Sequence, residues 1–300
     1  MVHKLIKFLN NTKSKRKKLQ SYTSPQRVLL IILAILKWVF LIFLFLFSIT
    51  PIVWIMISSW KTNHEIFNTA ISFPKVWQLQ NYVNALNLDG LWSAFRNTIF
   101  VAIVSTGLCT IIAAMAAYAL RSKLRGNKKI YFFLIIGMYI PVTAFMVPYV
   151  VISNFLNIHD TVWALILTYT GISLPISILI LKSYMDTIPN EILEAAHIDG
   201  CSYHKIFTKI MLPLAVPGIA SIGIFQFVAV WNEFLFASIL TAKESARTLQ
   251  VSIRFFMGTF QVDYASMFAT MIITMMPAIV VFILLQERVI SGLTSGAIKG

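Results

Sequence analysis

Charged residues are scarce in this sequence, and acidic residues are the scarcest of them. Only 12% of the 300 residues are charged, with 11 Asp and Glu against 25 Lys and Arg. Soluble domains carry about 25% charged and about 45–50% apolar residues, whereas 58% of this chain is hydrophobic. An ordinary soluble enzyme is therefore excluded, and so is a disordered chain, because disorder requires low hydrophobicity. The composition indicates a membrane protein with several spans.

Cysteine is scarce as well, and motifs for nucleotides and metals are missing. Cys109 falls in a predicted span and Cys201 in a predicted cytoplasmic loop, so neither is placed for an exported disulfide. The sequence contains no G-x-x-x-x-G-K-S/T, no H-E-x-x-H and no cysteine-rich metal spacing. These absences predict a chain that is not an enzyme by itself, binds no cofactor of its own and holds no metal.

Long apolar runs are present instead, and six of them can each cross about 30 Å of hydrocarbon, which takes about 20 helical residues. They cover residues 37–57, 97–120, 130–152, 161–181, 218–240 and 266–286. The predicted fold class is an all-α integral membrane protein with six transmembrane helices. The first apolar stretch exceeds one span, so residues 25–36 are expected to lie along the membrane surface.

The basic residues set the predicted orientation. With six spans, most of the 25 Lys and Arg residues fall on one side of the membrane, which the positive-inside rule makes the cytoplasm. We therefore expect a basic cytoplasmic leader at residues 1–27, a permease domain at 28–286 and a cytoplasmic tail at 287–300. The net charge of +14 then reflects topology and not nucleic-acid binding. The basic run at residues 13–18 is either a topology signal or a contact with anionic lipid.

Ionisable residues are nearly missing from the predicted spans. Glu233 is the only acidic residue placed inside one of them, whereas ion-coupled carriers usually bury carboxylates or histidines along the ion path. Asn232 and Glu233 are therefore either part of a polar translocation path or residues near the outer interface, with Trp231 as an interfacial anchor.

The segment 183–213 is too polar for a span and too apolar for a linker. Pro189 suits the first turn of a helix, and Gly200 supplies the positive φ that ends one. Ser202 can cap a second helix, in which Ile206, Phe207 and Ile210 form one apolar stripe before Pro213 interrupts the pattern. A helix, a glycine turn and a second helix are predicted. Such an element either docks into another protein or packs back on its own bundle.

Within this segment, Glu194-Ala195-Ala196, then Asp199-Gly200, then Phe207, Ile210 and Leu212-Pro213 resemble the EAA loop of binding-protein-dependent ABC importer permeases. In that family the loop is a coupling helix that sits in a cleft of a cytoplasmic ATPase subunit. The resemblance assigns ATPase coupling to the following residues: Glu194, Ala195, Ala196, Asp199, Gly200, Phe207, Leu212 and Pro213.

Other segments are similar to the shorter, six-span permeases of the maltose-type carbohydrate branch. They are Phe73-Pro74, Asn81-Tyr82, Arg96-Asn97-Thr98, Trp231-Asn232-Glu233-Phe234 and the ending at residues 292–300. In that branch the C-terminal tail reaches the ATPase interface, which implies partner contacts for Gly296, Lys299 and Gly300.

The resemblance implies a permease subunit of an ATP-driven ABC importer for a sugar or oligosaccharide, located in the bacterial cytoplasmic membrane. Its implied partners are a homologous sister permease, two ATPase subunits or domains that hold ATP and Mg²⁺, and an extracytoplasmic binding protein. Two alternatives stay open at this point. One is an ABC permease for a polyol or glycerol phosphate, and the other is an ion-coupled secondary carrier.

Overall fold

The computed structural model describes residues 24–122, 126–256 and 262–297. These residues are almost entirely helical, so the predicted all-α class is confirmed. Among them, five helices are long and apolar enough to cross a membrane, and the number rises to six if one bent pair counts as a single span. Most of the predicted leader, residues 1–23, lies outside the described residues.

In chain order the α-helices are α1 (Ser24–Ser58), α2 (Asn63–Asn68), α3 (Gln80–Leu86), α4 (Leu91–Arg121), α5 (Asn127–Met138), α6 (Met146–Phe155), α7 (Val162–Met185), α8 (Asn190–Ile198), α9 (Tyr203–Ile206), α10 (Leu212–Trp231), α11 (Leu235–Leu240), α12 (Leu249–Ser252) and α13 (Tyr264–Ala297). A π-helical segment, Phe207–Met211, joins α9 to α10, so that Tyr203–Trp231 is one continuous helix.

The first span is longer than the sequence suggests. Helix α1 runs without a break from Ser24 to Ser58, and the part of it that is long and apolar enough to cross a membrane begins at Ile31. Residues 31–36 therefore belong to the candidate span, and a position along the membrane surface stays a prediction for residues 25–30. Its apolar side chains are exposed along most of its length. In a bilayer such a surface contacts lipid or another chain.

The third predicted span, residues 130–152, is a bent pair and not a straight helix. Helix α5 ends at Met138, and the helical segment Val142–Phe155 leaves at 91° to it. Pro141 explains the break, because proline has no N–H to donate and disfavours a helical conformation at Ile140 before it. A 3₁₀ turn, Val142–Phe145, then leads into α6.

The fifth predicted span, residues 218–240, has different bounds. The helix starts at Tyr203 and ends at Trp231, and Leu235–Leu240 forms the separate helix α11. Pro213, which was expected to interrupt the pattern of the apolar stripe, lies within this continuous helix. Pro213 has no N–H to donate, and the helix widens into a π-helical segment, Phe207–Met211, shortly before it.

Helices α4, α7 and α10 pack together as the centre of the bundle. Small residues on α4, among them Ala113 and Ala117, are fully buried against Leu181 of α7 and Ala215 of α10. Small side chains let helix backbones approach closely where lipid offers no hydrophobic driving force for association. Gly218 of α10 lies close to α7, because a Cβ added there would lie 2.7 Å from Cγ of Tyr184.

Candidate coupling site

The segment between α7 and α10 folds as a helix, a glycine turn and a second helix, as the sequence predicts. Helix α8 spans Asn190–Ile198, and Pro189 occupies the position just before it. Gly200 has φ +73. Its N–H bonds the carbonyl of His197 at 3.0 Å, while the N–H of Cys201 bonds the carbonyl of Ala196 at 3.0 Å. This pair of bonds is the Schellman motif, in which a left-handed residue ends the helix.

The second helix starts where the sequence places it. Ser202 is extended, and its hydroxyl accepts a hydrogen bond from the N–H of Lys205 at 3.3 Å. Helix α9 then continues through the π-helical segment into α10. We call α8, the Gly200 turn and α9 the coupling element. Because its second helix is continuous with α10, the element has a rigid connection to the centre of the bundle.

The coupling element has an inner and an outer face. The sequence allowed the element either to dock into another protein or to pack on its own bundle, and in the structure the inner face packs on the bundle while the outer face is exposed. Ala196 and Ile206 are buried, and Phe207 and Ile210 pack against the same core cluster. The apolar stripe that was expected to need a partner is therefore covered by the chain's own bundle. Phe207, Leu212 and Ala196 are packing residues in this structure.

The outer face carries the remaining residues that the resemblance assigns to coupling. Glu194, Ala195, Asp199 and Gly200 are exposed, and so is Pro213 at the start of α10. Ile198 lies beside them and is 87% exposed. An isoleucine this exposed, next to a carboxylate and small residues, is a surface on which a partner can bury apolar area.

Arg121, at the end of α4, contacts the coupling element and was not singled out by the sequence. Its guanidinium donates to the carbonyls of Met185 at 2.6 Å and Ile188 at 2.5 Å, and to Oδ1 of Asn190 at 2.8 Å. In the sequence it is one of several basic residues that follow a span, so the positive-inside pattern hides it. The structure identifies Arg121 because its guanidinium donates hydrogen bonds to carbonyls that have no partner within a helix, at the end of α7 and in the turn that follows.

Tyr118 lies one turn before Arg121 and packs against the other end of the element. Its ring lies 4.4 Å from that of Tyr203 and 5.1 Å from that of Phe207, centroid to centroid. Its hydroxyl donates to the carbonyl of Tyr203 at 3.3 Å. A cavity of about 360 Å³ opens between α4 and the element. Residues from both sides line it: Tyr118, Arg121, Leu193, Glu194, His197 and Tyr203.

Glu233 and Asn232 lie in the break between α10 and α11, so placing Glu233 inside a span is wrong. One carboxylate oxygen of Glu233 accepts the N–H of Phe236 at 2.9 Å, and the other accepts the N–H of Ala237 at 3.1 Å and the hydroxyl of Tyr169 at 2.5 Å. The carboxylate thus caps the start of α11. Asn232 is exposed and bonds the carbonyl of Val228. A role for the pair in a translocation path stays a prediction.

Trp231 is not an interfacial anchor. It is 1% exposed, and its indole N–H donates to the carbonyl of Thr274 in α13 at 3.0 Å. Its ring stacks on Phe227 at 5.7 Å and meets Phe95 of α4 edge-on at 6.0 Å. The residue therefore joins three helices at the point where α10 ends.

The predicted contacts of the C-terminal tail are described only in part. Gly296 lies in the last turn of α13, which ends at Ala297. Lys299 and Gly300 lie outside the described residues. Their contact with an ATPase stays a prediction.

A solved structure and a curated relative show what this chain resembles. The crystal structure of a bacterial ABC transporter involved in the import of the acidic polysaccharide alginate superposes with a TM-score of 0.76 at 22% identity, covering 89% of this chain and 98% of its own. The sulfoquinovosyl glycerol transport system permease protein SmoH of Agrobacterium fabrum is 36% identical over 252 residues, which is 83% of this chain and 88% of SmoH.

A second relative and a family model agree with these matches. The diacetylchitobiose uptake system permease protein NgcG of Streptomyces coelicolor is 31% identical over 255 residues, which is 84% of each chain. The model of the family described as "Binding-protein-dependent transport system inner membrane component" matches residues 107–295, which include α7, the coupling element and α10. The chain therefore belongs to this family, and it is a multi-pass, non-catalytic permease subunit of an ABC transporter in the bacterial inner membrane.

Proposed function

We propose that this permease imports a sugar or oligosaccharide, and that the coupling element transmits the motion of partner ATPase subunits to the bundle. The names of SmoH and NgcG support the substrate class, since one refers to a glycosyl glycerol and the other to an acetylated disaccharide. The observation that carries the coupling role is the outer face of the element. There Glu194, Ala195 and Ile198 are exposed on a helix that a Schellman turn joins to α9 and α10.

The proposed complex contains a sister permease, two ATPase subunits or domains and an extracytoplasmic binding protein. ATP and Mg²⁺ would be held by the ATPase, and the termini of this chain would be cytoplasmic. Two surfaces support this assembly. The exposed apolar length of α1 offers a contact for lipid or the sister permease, and the outer face of the coupling element offers a contact for the ATPase.

Coupling requires that contacts of the element differ in free energy between the inward-facing and outward-facing states. Closure of the ATPase would displace α8, and the Gly200 turn would carry that displacement into α9. Because Tyr203–Trp231 is one helix, α10 would tilt with α9 and alter its packing against α4 and α7. This chain contributes no step of ATP chemistry.

The turn at Gly200 provides the experiment. Proline cannot adopt the φ of +73 observed there, whereas asparagine tolerates the left-handed region better than most residues. A Cβ at this position meets nothing within 4 Å, so backbone conformation and not steric contact decides the outcome. We expect Gly200→Pro to abolish ATP-driven sugar uptake and Gly200→Asn to retain most of it, when both variants are reconstituted with the partner subunits.

The matched pair also defines the contradicting result. Comparable uptake by Gly200→Pro and Gly200→Asn, at equal amounts of assembled complex, would refute the coupling role. Competition by sugars, polyols and glycerol phosphate in the same vesicles tests the substrate class. Uptake that is blocked by polyols or glycerol phosphate but not by sugars would refute the sugar assignment.

A further inference from the structure

The cytoplasmic end of α4 holds both helices of the coupling element. We propose that Arg121 and Tyr118 are positioning residues that fix the element to α4. When the coupling element moves, α4 then moves with it through these contacts. Helices α7 and α10 are already joined to the element along the chain, α7 before it and α10 after it. This inference rests on the proposed coupling function.

Arg121 fixes the start of the element. Its three acceptors come from the last residue of α7 (Met185), from the turn that follows (Ile188) and from the first residue of α8 (Asn190), all within 2.8 Å. A planar guanidinium can reach several acceptors at fixed angles, whereas a lysine ammonium is a single point on a flexible stem. The contact therefore demands arginine and not positive charge alone.

Tyr118 fixes the second helix of the element. It lies three residues before Arg121, so the two side chains share one face of α4. Tyr118 is 6% exposed, its ring packs against those of Tyr203 and Phe207, and its hydroxyl donates to the carbonyl of Tyr203. One face of α4 thus contacts the residue that begins α8 and the residue that begins α9.

Two attachments have a consequence that one would not have. An element held at the start of each of its two helices cannot pivot about Gly200 without moving α4, and α4 packs along α7 and α10 in the core cluster that includes Ala113, Leu181 and Ala215. If the attachment at Asn190 is lost, α8 can follow the ATPase while α4 stays behind. ATP would then be hydrolysed with less transport.

The test is the ratio of solute uptake to ATP hydrolysis, measured in the same vesicles with the complete transporter. We expect Arg121→Lys to lower that ratio about fivefold or more, the lower end of ordinary allosteric coupling, while hydrolysis continues. Arg96→Lys is the matched control, since Arg96 lies on the same helix at its opposite end and is exposed. Asn190→Ala and Tyr118→Phe are milder variants that each weaken one attachment by removing one hydrogen bond, Arg121 to Asn190 Oδ1 or the Tyr118 hydroxyl to the carbonyl of Tyr203.

A merely structural role predicts a different pattern. If uptake and hydrolysis fall together, or if the ratio is unchanged in Arg121→Lys, the inference is overturned. If Arg121→Lys yields no complex, an unchanged ratio in both Asn190→Ala and Tyr118→Phe overturns it instead. Adding Arg121→Lys to Asn190→Ala should cost less than the sum of the single effects, because the two residues form one contact.

The proposed function and this inference fail in different ways. Normal uptake by Gly200→Pro refutes the coupling role itself. Loss of uptake in Gly200→Pro with an unchanged ratio in the Arg121, Asn190 and Tyr118 variants refutes only the attachment to α4.

Discussion

At the scale of single residues, polar side chains in this protein join helices at points where the backbone breaks. Glu233 is the clearest example, because its carboxylate accepts two N–H bonds from the start of α11 and one hydroxyl from Tyr169 of α7. The sequence could identify Glu233 as unusual in an apolar region. It could not show that the region is broken at Trp231, so the partners of the carboxylate were beyond prediction.

Removing the Glu233 carboxylate should destabilise the junction of α7, α10 and α11. Glu233→Leu leaves three donors without an acceptor, and each unsatisfied buried donor costs about 1–3 kcal/mol. Glu233→Gln retains one acceptor oxygen and is expected to lose less. Thermal unfolding in detergent, followed for both variants and the parent, measures the difference. If Glu233 instead carries a coupling ion, Glu233→Gln will be as stable as the parent while collapse of the proton or sodium gradient stops parental uptake.

Asp160 makes a second junction, and its strength depends on pH. Its carboxylate accepts the N–H groups of Ala242 at 2.5 Å and Lys243 at 3.2 Å, which tie the loop before α7 to the segment after α11. Desolvation raises the pKa of Asp160, but the two N–H donors and the nearby His159 and Lys243 outweigh it and hold the pKa below its ordinary value.

The sign of the pH dependence follows from that lowered pKa. The carboxylate stabilises the fold fully above the unfolded pKa of about 3.9, and the contribution is lost as pH falls through the lower pKa of the folded state. The melting temperature of Asp160→Asn should therefore lie below that of the parent at neutral pH, and the gap should close in strong acid. A gap that is independent of pH would contradict this assignment.

At the scale of elements, the apolar runs predicted the number of candidate spans, five or six among the described residues, better than where these spans begin and end. Hydropathy reports burial in lipid and is insensitive to backbone direction, so residues 130–152 and 218–240 each read as one span. Pro141 and the Trp231–Asn232 step break these runs in the structure. The helix-glycine-helix of the coupling element was predictable because capping signals at Gly200 and Ser202 are local in sequence.

Close packing between α10 and α7 depends on Gly218. A methyl group at this position would lie 2.7 Å from Cγ and 3.0 Å from Cδ1 of the Tyr184 ring, so the helices or the ring must move. We expect Gly218→Ala to destabilise the protein by about 1–3 kcal/mol, the usual cost of overpacking. Gly223→Ala on the same helix is the control, because its nearest contact is Thr106 Cγ2 at 3.9 Å. Equal thermal stability of the two variants would contradict the packing described.

At the scale of the whole molecule, the structure separates what the chain does by itself from what it leaves to partners. The core of α4, α7 and α10 buries the inner face of the coupling element, including Ala196 and Ile206. The outer face of that element and the length of α1 remain exposed. Sequence resemblance predicted the family and the location of the loop. It could not show that Ala196 and Phe207 pack against the bundle while Glu194 and Ala195 are exposed, because that difference depends on how the loop packs on the bundle.

The central claim is that the outer face of the coupling element binds an ABC ATPase, and site-specific photo-crosslinking in the native membrane tests it most directly. A photoreactive residue in place of Ile198, which is 87% exposed, should crosslink to a protein that mass spectrometry identifies as carrying an ATP-binding P-loop. The same residue in place of Ile71, which is 96% exposed before α3, is the control and should not crosslink to that protein. The absence of an ATPase adduct from position 198, or equal adducts from both positions, would contradict the claim.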